Sequence, residues 1–354
     1  MRDNFTTLVL GVLLAIMLGW ILVLGRPVIL PIVASLIVAY IVLGLTELFA
    51  RLPVVGPRLP EALRLALAVA AIAGALTLLV LVIVGNVGRI VADAPQYQDR
   101  LLTVIQAAAV RFGVETEPTW QTLRAQALAQ VNLQRLFGAA LASAAAIVAT
   151  AAIVLVYAGF LLTEKTVFSA KIARLSDDPA RVARIREIIG DVNSRVGAYL
   201  VTKTLINILL GGLSYGVLRV AGVDYAGFWA ILIGLFNYVP YVGGVVGVFF
   251  PAMLALAQFG ALGPALAVTA ALTAAQILVG NFIEPWLMGA SLNLSPFVIV
   301  VSLVVWSAIW GIPGAILSVP IMAILVIVLS EFQGTRPIAV LLSRDGDIAP
   351  RRDR

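Results

Sequence analysis

The 354-residue sequence contains no cysteine and no histidine. Without cysteine the chain has no disulfide and no thiolate nucleophile, and without histidine it lacks the commonest metal ligand and the usual proton relay. Aspartate and glutamate are therefore the side chains expected to carry protons near neutral pH. We expect neither a metal site nor a cofactor.

Charged residues are also scarce in this sequence. They make up 12% of the chain, whereas hydrophobic residues make up 62%. A soluble domain typically carries about 25% charged and about 45–50% apolar residues. The composition therefore predicts an integral membrane protein.

Long apolar runs predict about eight transmembrane helices and an all-α, polytopic fold. One helix needs about 20 apolar residues to cross the bilayer, and these runs are too long and too continuous for barrel strands. The first run has no small-residue cleavage pattern at its end, so we interpret it as a retained span and not a signal peptide. The runs are residues 6–25, 28–50, 65–86, 139–163, 197–220, 228–259, 264–283 and 297–329.

The distribution of basic residues predicts that both termini are cytoplasmic. With the N-terminus inside, seventeen of the 24 lysines and arginines fall in the inner segments and seven in the outer ones. Such an excess of basic residues on the cytoplasmic side is typical of membrane proteins. The net charge of +6 is then explained by topology and anionic lipid, so we expect no nucleic-acid partner.

Two polar segments lie between the predicted spans, and the chain divides into six segments. Residues 1–88 hold spans 1–3, residues 89–138 an extracytoplasmic helical insert, and residues 139–163 span 4. Residues 164–196 form a cytoplasmic amphipathic segment, in which Asp178 caps a helix that begins at Pro179. This helix either lies against the membrane or bundle or makes an oligomer contact. Residues 197–333 hold spans 5–8, the predicted transport core, and residues 334–354 form a cytoplasmic tail.

Proline and glycine interrupt the sixth and eighth runs. A straight helix over residues 228–259 would be about 48 Å long, against a hydrocarbon core of about 30 Å. Pro240 lacks the N–H that would bond the carbonyl of Phe236, and Gly311 and Pro313 interrupt the eighth run in a similar way. Paired interruptions of this kind point to a transport site built from broken or re-entrant helices, although each alone is also compatible with an ordinary kink.

Glu284 is the single charged residue between residues 225 and 330. Counted from the start of the seventh span it falls near the outer end of that helix, so it marks either a membrane boundary or a functional site. Its span also carries a stripe of small and polar residues, and the fifth span carries another; such stripes serve as helix-packing seams or line a polar path. The residues predicted for a substrate or ion pathway are Asn207, Asn237, Tyr238, Pro240, Gly243, Gly244, Gln276, Asn281, Glu284, Pro285, Gly311, Pro313 and Gly314.

Motifs for enzymatic chemistry are absent or out of context. The sequence has no Walker-type phosphate loop, so it is not expected to hydrolyse nucleotides. A G-x-S-x-G pattern at residues 212–216 lies within an apolar helix, and no histidine is available to activate Ser214. We therefore expect that the protein is not an enzyme.

Four strings in the second half of the chain carry a family resemblance. In order they are GAYLVTKTLINILLGG, GLFNYVPYVGG, QILVGNFIEPWLMG and LSPFVIVVSLVVWSAIWGIPGAILSVPIMA. The chain resembles the autoinducer-2 exporter family, also called PerM-like permeases, from about residue 27 to residue 320. The resemblance implies a multi-pass permease of the bacterial inner membrane that forms homo-oligomers, with pentamers described for the family. It also implies export of autoinducer-2 or, in some members, sodium/proton exchange.

These observations predict a secondary transporter that exports a small polar solute, with autoinducer-2 as a candidate. Coupling to a proton or sodium gradient is expected: a carboxylate in apolar surroundings binds a proton more readily, which suggests Glu284, and carbonyls freed near Pro240 could hold sodium. Two alternatives stay open. One is a sodium/proton antiporter or passive channel on the same fold; the other is a non-transporting membrane scaffold that recruits partners through the helix at residues 179–196.

Overall fold

A computed structural model describes residues 2–51, 58–111, 133–174, 176–288 and 293–346. Within these ranges every regular element is a helix. Among the described residues, six helices are long and apolar enough to cross a membrane. The prediction of an all-α, polytopic membrane protein is confirmed.

Twelve helices lie in the described part of the chain. A π-helical segment, Leu278–Ile283, joins the eighth helix to the ninth. The helices are α1 Arg2–Leu24, α2 Arg26–Ala50, α3 Glu61–Arg111, α4 Leu133–Ala173, α5 Pro179–Val220, α6 Ala226–Phe236, α7 Val242–Phe259, α8 Leu262–Ile277, α9 Glu284–Met288, α10 Pro296–Trp310, α11 Ile312–Glu331 and α12 Arg336–Leu342.

Helix α5 begins where the sequence predicts but does not stop where the predicted cytoplasmic segment ends. The Asp178 carboxylate accepts a hydrogen bond from the backbone N–H of Ala180 at 2.9 Å, which confirms the predicted cap. The helix then continues through the predicted boundary at Gly197 to Val220. One glycine costs a helix only about 1 kcal/mol, and the neighbouring Val196 and Leu200 are buried, so Gly197 does not end the helix. Helix α3 likewise passes without interruption through the boundary predicted at residues 88–89.

The helical contacts divide the chain into two units. The first comprises Met1–Ala70, Ala152–Thr202 and Ala290–Arg354, and the second comprises Ala71–Ala151 and Lys203–Gly289. Residues 112–132 of the predicted extracytoplasmic insert lie outside the described residues. Each unit contains one of the two interrupted segments.

In the second unit, the interrupted segment is a hairpin of α6 and α7. The side chain of Ile233 packs beside Gly247, although 14 residues would separate two positions by about 21 Å in a straight helix. The chain reverses at residues 237–241, where Tyr241 has a φ of 61°. Ile233 and Ala255 of the hairpin belong to one apolar core with Ile206 and Leu210 of α5 and Leu272 of α8.

In the first unit, α10 and α11 form the second hairpin. The Ser302 hydroxyl donates to the carbonyl of Ser318 at 3.1 Å, so residues 16 positions apart lie side by side. The reversal occurs at Gly311, whose φ of 68° strongly favours glycine. At this tip Trp310 is 1% exposed, and its indole N–H donates to the carbonyl of Leu22 at 3.0 Å. The tip therefore lies at the level of the joint between α1 and α2.

Both predicted interruptions are thus confirmed, and the structure gives their form as helical hairpins. Pro240 and Gly311 lie at the two reversals. Pro313 lies in the first turn of α11, where a missing N–H has no cost, and α11 continues through Pro320.

Close backbone approach at the two hairpins predicts that glycine is required at Gly243 and Gly314. A Cβ at Gly243 would overlap the carbonyl of Phe236, and one at Gly314 would overlap the carbonyl of Trp306. Gly243→Ala or Gly314→Ala should each lower the free energy of unfolding by about 1–3 kcal/mol, which thermal unfolding in detergent would measure.

Gly212→Ala is the matched control, because nothing lies within 4 Å of a Cβ at that position. Its stability should stay the same or rise by about 1 kcal/mol, since alanine is the better helix former. Equal melting temperatures for Gly243→Ala and Gly212→Ala would contradict the packing described at the first hairpin.

Candidate transport site

The tip of the α6–α7 hairpin carries a polar cluster that contacts α5. The hydroxyls of Thr204 and Tyr238 lie 2.7 Å apart, and the side-chain amide of Asn237 donates to the side-chain Oδ1 of Asn207 at 2.8 Å. Asn207 is only 5% exposed. We call Thr204, Asn207, Asn237 and Tyr238 the hairpin-tip cluster. It brings together three of the predicted pathway residues.

Helical periodicity explains why α5 presents these groups together. Thr204, Asn207 and Gly211 recur at three- and four-residue steps and therefore share one face. The same face packs closely on α6. A Cβ at Gly211 would lie 3.1 Å from the backbone carbonyl oxygen of Ala230, and a Cβ at Gly234 would lie 2.8 Å from the backbone carbonyl oxygen of Asn207. The face is thus both a packing seam and the support of the cluster.

Glu284 has a partner that sequence reasoning did not assign. The Lys203 ammonium donates to a Glu284 carboxylate oxygen at 2.6 Å, and the two side chains are 6% and 24% exposed. Lys203 immediately precedes Thr204 of the hairpin-tip cluster. The sequence did contain a signal for this pair. Lys203 is a basic residue inside one apolar helix and Glu284 an acidic residue inside another apolar segment, and such residues are expected to pair.

The ion pair corrects the predicted position of Glu284. The sequence placed Lys203 in the inner part of span 5 but Glu284 at the outer end of span 7, whereas the two groups are in contact. Helix α8 starts beside the C-terminal end of α5, where Val220 and Pro264 line one apolar groove. Helices α5 and α8 therefore run antiparallel, because the sixth segment returns as a hairpin and does not cross once.

Two buried amide nitrogens near the hairpin have no hydrogen-bond partner in the described part of the chain. They are Nδ2 of Asn207 and Nε2 of Gln276. Gln276 lies beside the hairpin, since a Cβ at Gly247 would lie 3.3 Å from its Nε2 and one at Gly244 would lie 3.8 Å from its Oε1. A buried donor without an acceptor costs about 1–3 kcal/mol, so such groups favour a ligand that supplies oxygen acceptors.

The remaining predicted residues occupy other environments. Asn281 and Pro285 are exposed on the second unit and do not join the buried groups. Ordinary helical periodicity explains this, because Asn281 and Pro285 follow the exposed Ile277 at four-residue steps and so share its face. Gly311, Pro313 and Gly314 belong to the hairpin of the first unit.

The carbonyls expected to be free around Pro240 have backbone partners. The carbonyl of Phe236 accepts from Val239 N–H at 2.8 Å, that of Val239 from Gly243 N–H at 2.9 Å, and that of Pro240 from Val242 N–H at 2.6 Å. A tight turn has thus replaced the lost helical bonds. The sodium site predicted from unpaired carbonyls finds no support at these three oxygens.

A comparison with known protein families decides the class of this membrane protein. Residues 10–334 match the family described as AI-2E family transporter. The chain belongs to the AI-2E transporter family. The resemblance seen in the four sequence strings is therefore confirmed.

Relatives in the AI-2E family are named for transport. The chain is 28% identical to the AI-2 transport protein TqsA of Escherichia coli over 343 residues, which covers 94% of this chain and 96% of TqsA. It is 33% identical over 184 residues to a Borreliella burgdorferi protein whose name assigns it a transport role; that match covers 52% of this chain and about half of the relative, 51%. A third relative, PerM of Escherichia coli, is named as a permease and is 25% identical over 162 residues, or 46% of this chain and 45% of PerM.

Family membership and the apolar helices together establish a multi-pass membrane protein of a transporter family. The relatives are named transport proteins, in keeping with the expectation of a non-enzyme. The hairpin-tip cluster, Gln276 and the Lys203–Glu284 pair are the candidate site through which such a protein could act.

The Lys203–Glu284 pair predicts strong energetic coupling between its two residues. Lys203→Met or Glu284→Gln alone should lower the free energy of unfolding by about 3 kcal/mol, because each leaves the other charge buried and unpaired. The double variant should lose much less than the sum of the two. Chemical or thermal unfolding of the four proteins in detergent measures this coupling energy.

The ion pair between Lys171 and Glu164 serves as a matched control. Its atoms are 2.7 Å apart, but both side chains are more than half exposed, at 58% and 59%. The same substitutions there should show a coupling of about 1 kcal/mol or less. Additive losses at Lys203 and Glu284 would mean that the buried contact does not contribute as described.

Proposed function

We propose that this protein is a permease that exports a small polar solute across the bacterial inner membrane, using the α6–α7 hairpin as its moving element. The observation that supports the proposal most strongly is the group of buried amides and one ion pair around the hairpin tip. Polar groups inside an apolar helix bundle are costly, and transport pathways are where membrane proteins keep them. Family membership supports the same function.

The chemistry of the site favours a neutral solute rich in hydroxyl or carbonyl oxygens. The unpaired N–H groups of Asn207 and Gln276 need acceptors, and the hydroxyls of Thr204 and Tyr238 can donate or accept. Autoinducer-2 is the first solute to test, because the relative TqsA is named as an AI-2 transport protein. Lys203 and Glu284 are already paired with each other, so neither needs a charged solute.

The Lys203–Glu284 pair is proposed as a gate that responds to protons. Loss of either charge would weaken the contact that joins α5 to the start of α9. If the N-terminus is inside, as the distribution of basic residues predicts, the antiparallel run of α5 and α8 would put this gate on the cytoplasmic side. A proton gradient would then drive solute export by opening and closing the pair; a sodium gradient is the other candidate.

The hairpin has the features of an element that moves as one body. Gly222 and Gly260, at its two ends, have φ values of 71° and 62°, which allow the backbone to change direction with little steric cost. Its tip is held by side-chain hydrogen bonds, which exchange more readily than a packed backbone. Assembly of several copies, as the family resemblance implies, is compatible with each chain carrying its own pathway.

The direct test is solute flux in proteoliposomes containing the purified protein. Autoinducer-2 efflux should be saturable and should depend on the pH gradient. Glu284→Gln should abolish this dependence, because glutamine cannot exchange a proton, whereas Glu164→Gln at an exposed position should leave it intact. Asn207→Ala should weaken apparent solute affinity about ten-fold, the effect of losing one good hydrogen bond to the solute.

Other outcomes of the same experiment would identify another function. Sodium and proton exchange without solute flux would indicate an antiporter, and single-channel conductance would indicate a passive channel. No flux of any kind, together with a phenotype that follows deletion of residues 179–196, would indicate a scaffold and overturn the proposal.

A further inference from the structure

A second set of polar contacts surrounds the base of the α6–α7 hairpin, at the end opposite its tip. Three residues on one face of α3, at positions 93, 97 and 100, approach the loop at residues 221–225 and the end of α7. Lys203 and Val220 are about 26 Å apart along α5, so this set is far from the Lys203–Glu284 pair. Neither the packing core nor the solute site accounts for it.

Two tyrosine–aspartate pairs form the centre of this set. The Tyr97 hydroxyl donates to Asp224 at 2.8 Å, and the Tyr225 hydroxyl donates to Asp93. Each element supplies one phenol and one carboxylate, so the two pairs are reciprocal. Burial raises the pKa of Tyr225 to about 12, and the hydrogen bond to Asp93 acts in the same direction. Burial and Asp224 also raise the pKa of Tyr97, so both phenols keep their protons at neutral pH and can donate.

Gln258 joins the two ends of the hairpin to each other. Its side-chain oxygen accepts from the backbone N–H of Asp224 at 2.8 Å, and its amide donates to the carbonyl of Gly222 at 2.8 Å. The guanidinium of Arg100 donates to the backbone carbonyl of Gln258 at 2.5 Å. Helix α3 therefore holds both the entry and the exit of the hairpin.

The backbone at the base of the hairpin contains three residues with positive φ values. Tyr225 has a φ of 56° and a ψ of 32°, a left-handed conformation that is uncommon for a residue with a side chain. Such a conformation persists only when surrounding contacts hold it, and the hydrogen bond from its own hydroxyl to Asp93 is one of them. Gly222 and Gly260 flank the hairpin with similar positive φ values.

We infer that Asp93, Tyr97, Asp224 and Tyr225 form a latch that clamps the α6–α7 hairpin to α3 and must open for the hairpin to move. The latch rests on the proposed function in that it forms a second gate, at the opposite end of the hairpin from Lys203–Glu284. Alternating access requires that one gate opens while the other stays closed. Loss of the two phenol hydrogen bonds shifts the hairpin base toward its open state.

The first test measures opening without any solute. The sequence has no cysteine, so Val223→Cys places a single thiol at the base, where the valine is 5% exposed. Adding Tyr97→Phe and Tyr225→Phe should raise the labelling rate of this thiol by a maleimide about ten-fold. Tyr215→Phe, which removes a hydroxyl from the exposed face of α5, is the matched control and should leave the rate unchanged.

The second test locks the latch closed. Tyr97→Cys with Asp224→Cys, joined by a short reducible bifunctional thiol reagent, should stop solute flux in proteoliposomes, and reduction should restore it. Equal labelling rates in the double-phenylalanine and control proteins, or undiminished flux in the cross-linked protein, would overturn the latch. Faster labelling in a protein that transports nothing would support the latch and refute the proposed function.

Discussion

The structure depends on reversing the backbone inside an apolar helix bundle. Every N–H and C=O in such surroundings needs a partner, since an unpaired group costs several kcal/mol in hydrocarbon. At Pro240 a tight turn supplies backbone donors to three carbonyls, and at Gly311 a positive φ allows α11 to start at once. Glycine at positions 243 and 314 then lets the second helix pass against the first. Side-chain polarity is consequently concentrated where the α6–α7 hairpin meets its neighbours.

Two kinds of polar contact hold the α6–α7 hairpin, and they differ in strength and position. At the tip of the hairpin, the neutral hairpin-tip cluster bonds to the middle of α5, beside the buried Lys203–Glu284 pair that joins α5 to α9. Neutral and charge-assisted hydrogen bonds to α3 lie at the other end. Between them the contacts are apolar, with small residues allowing close approach. A rigid arm held by exchangeable contacts at both ends is suited to transport by an AI-2E family member.

Apolar run lengths were sufficient to predict the helical class, and the positions of Pro240 and Gly311 were sufficient to predict both interruptions. The direction of α8 was not predictable, because residues 225–330 contain no lysine or arginine from which a topology could be read. The partner of Glu284 was missed for the same reason. When the sixth segment forms a hairpin instead of crossing once, the next helix runs in the opposite direction, and Glu284 lies on the opposite side of the membrane from the one predicted. Asn281 was predicted as a pathway residue, but it follows Gln276 by five residues, so helical periodicity alone places it on a different face.

The most direct test of the account is the accessibility of the hairpin tip from each side of the membrane. Gly244→Cys suits this measurement, since a Cβ there meets only Gln276, at 3.8 Å, and the chain has no other thiol. The account predicts labelling by a charged, impermeant thiol reagent from one side at a time, with faster labelling from the cytoplasmic side when Glu284→Gln opens the ion pair. A cysteine at Gly212, on an exposed face of α5, should stay unlabelled in the bilayer. Absence of labelling at position 244 from either side, with and without Glu284→Gln, would contradict a solute pathway at the hairpin tip.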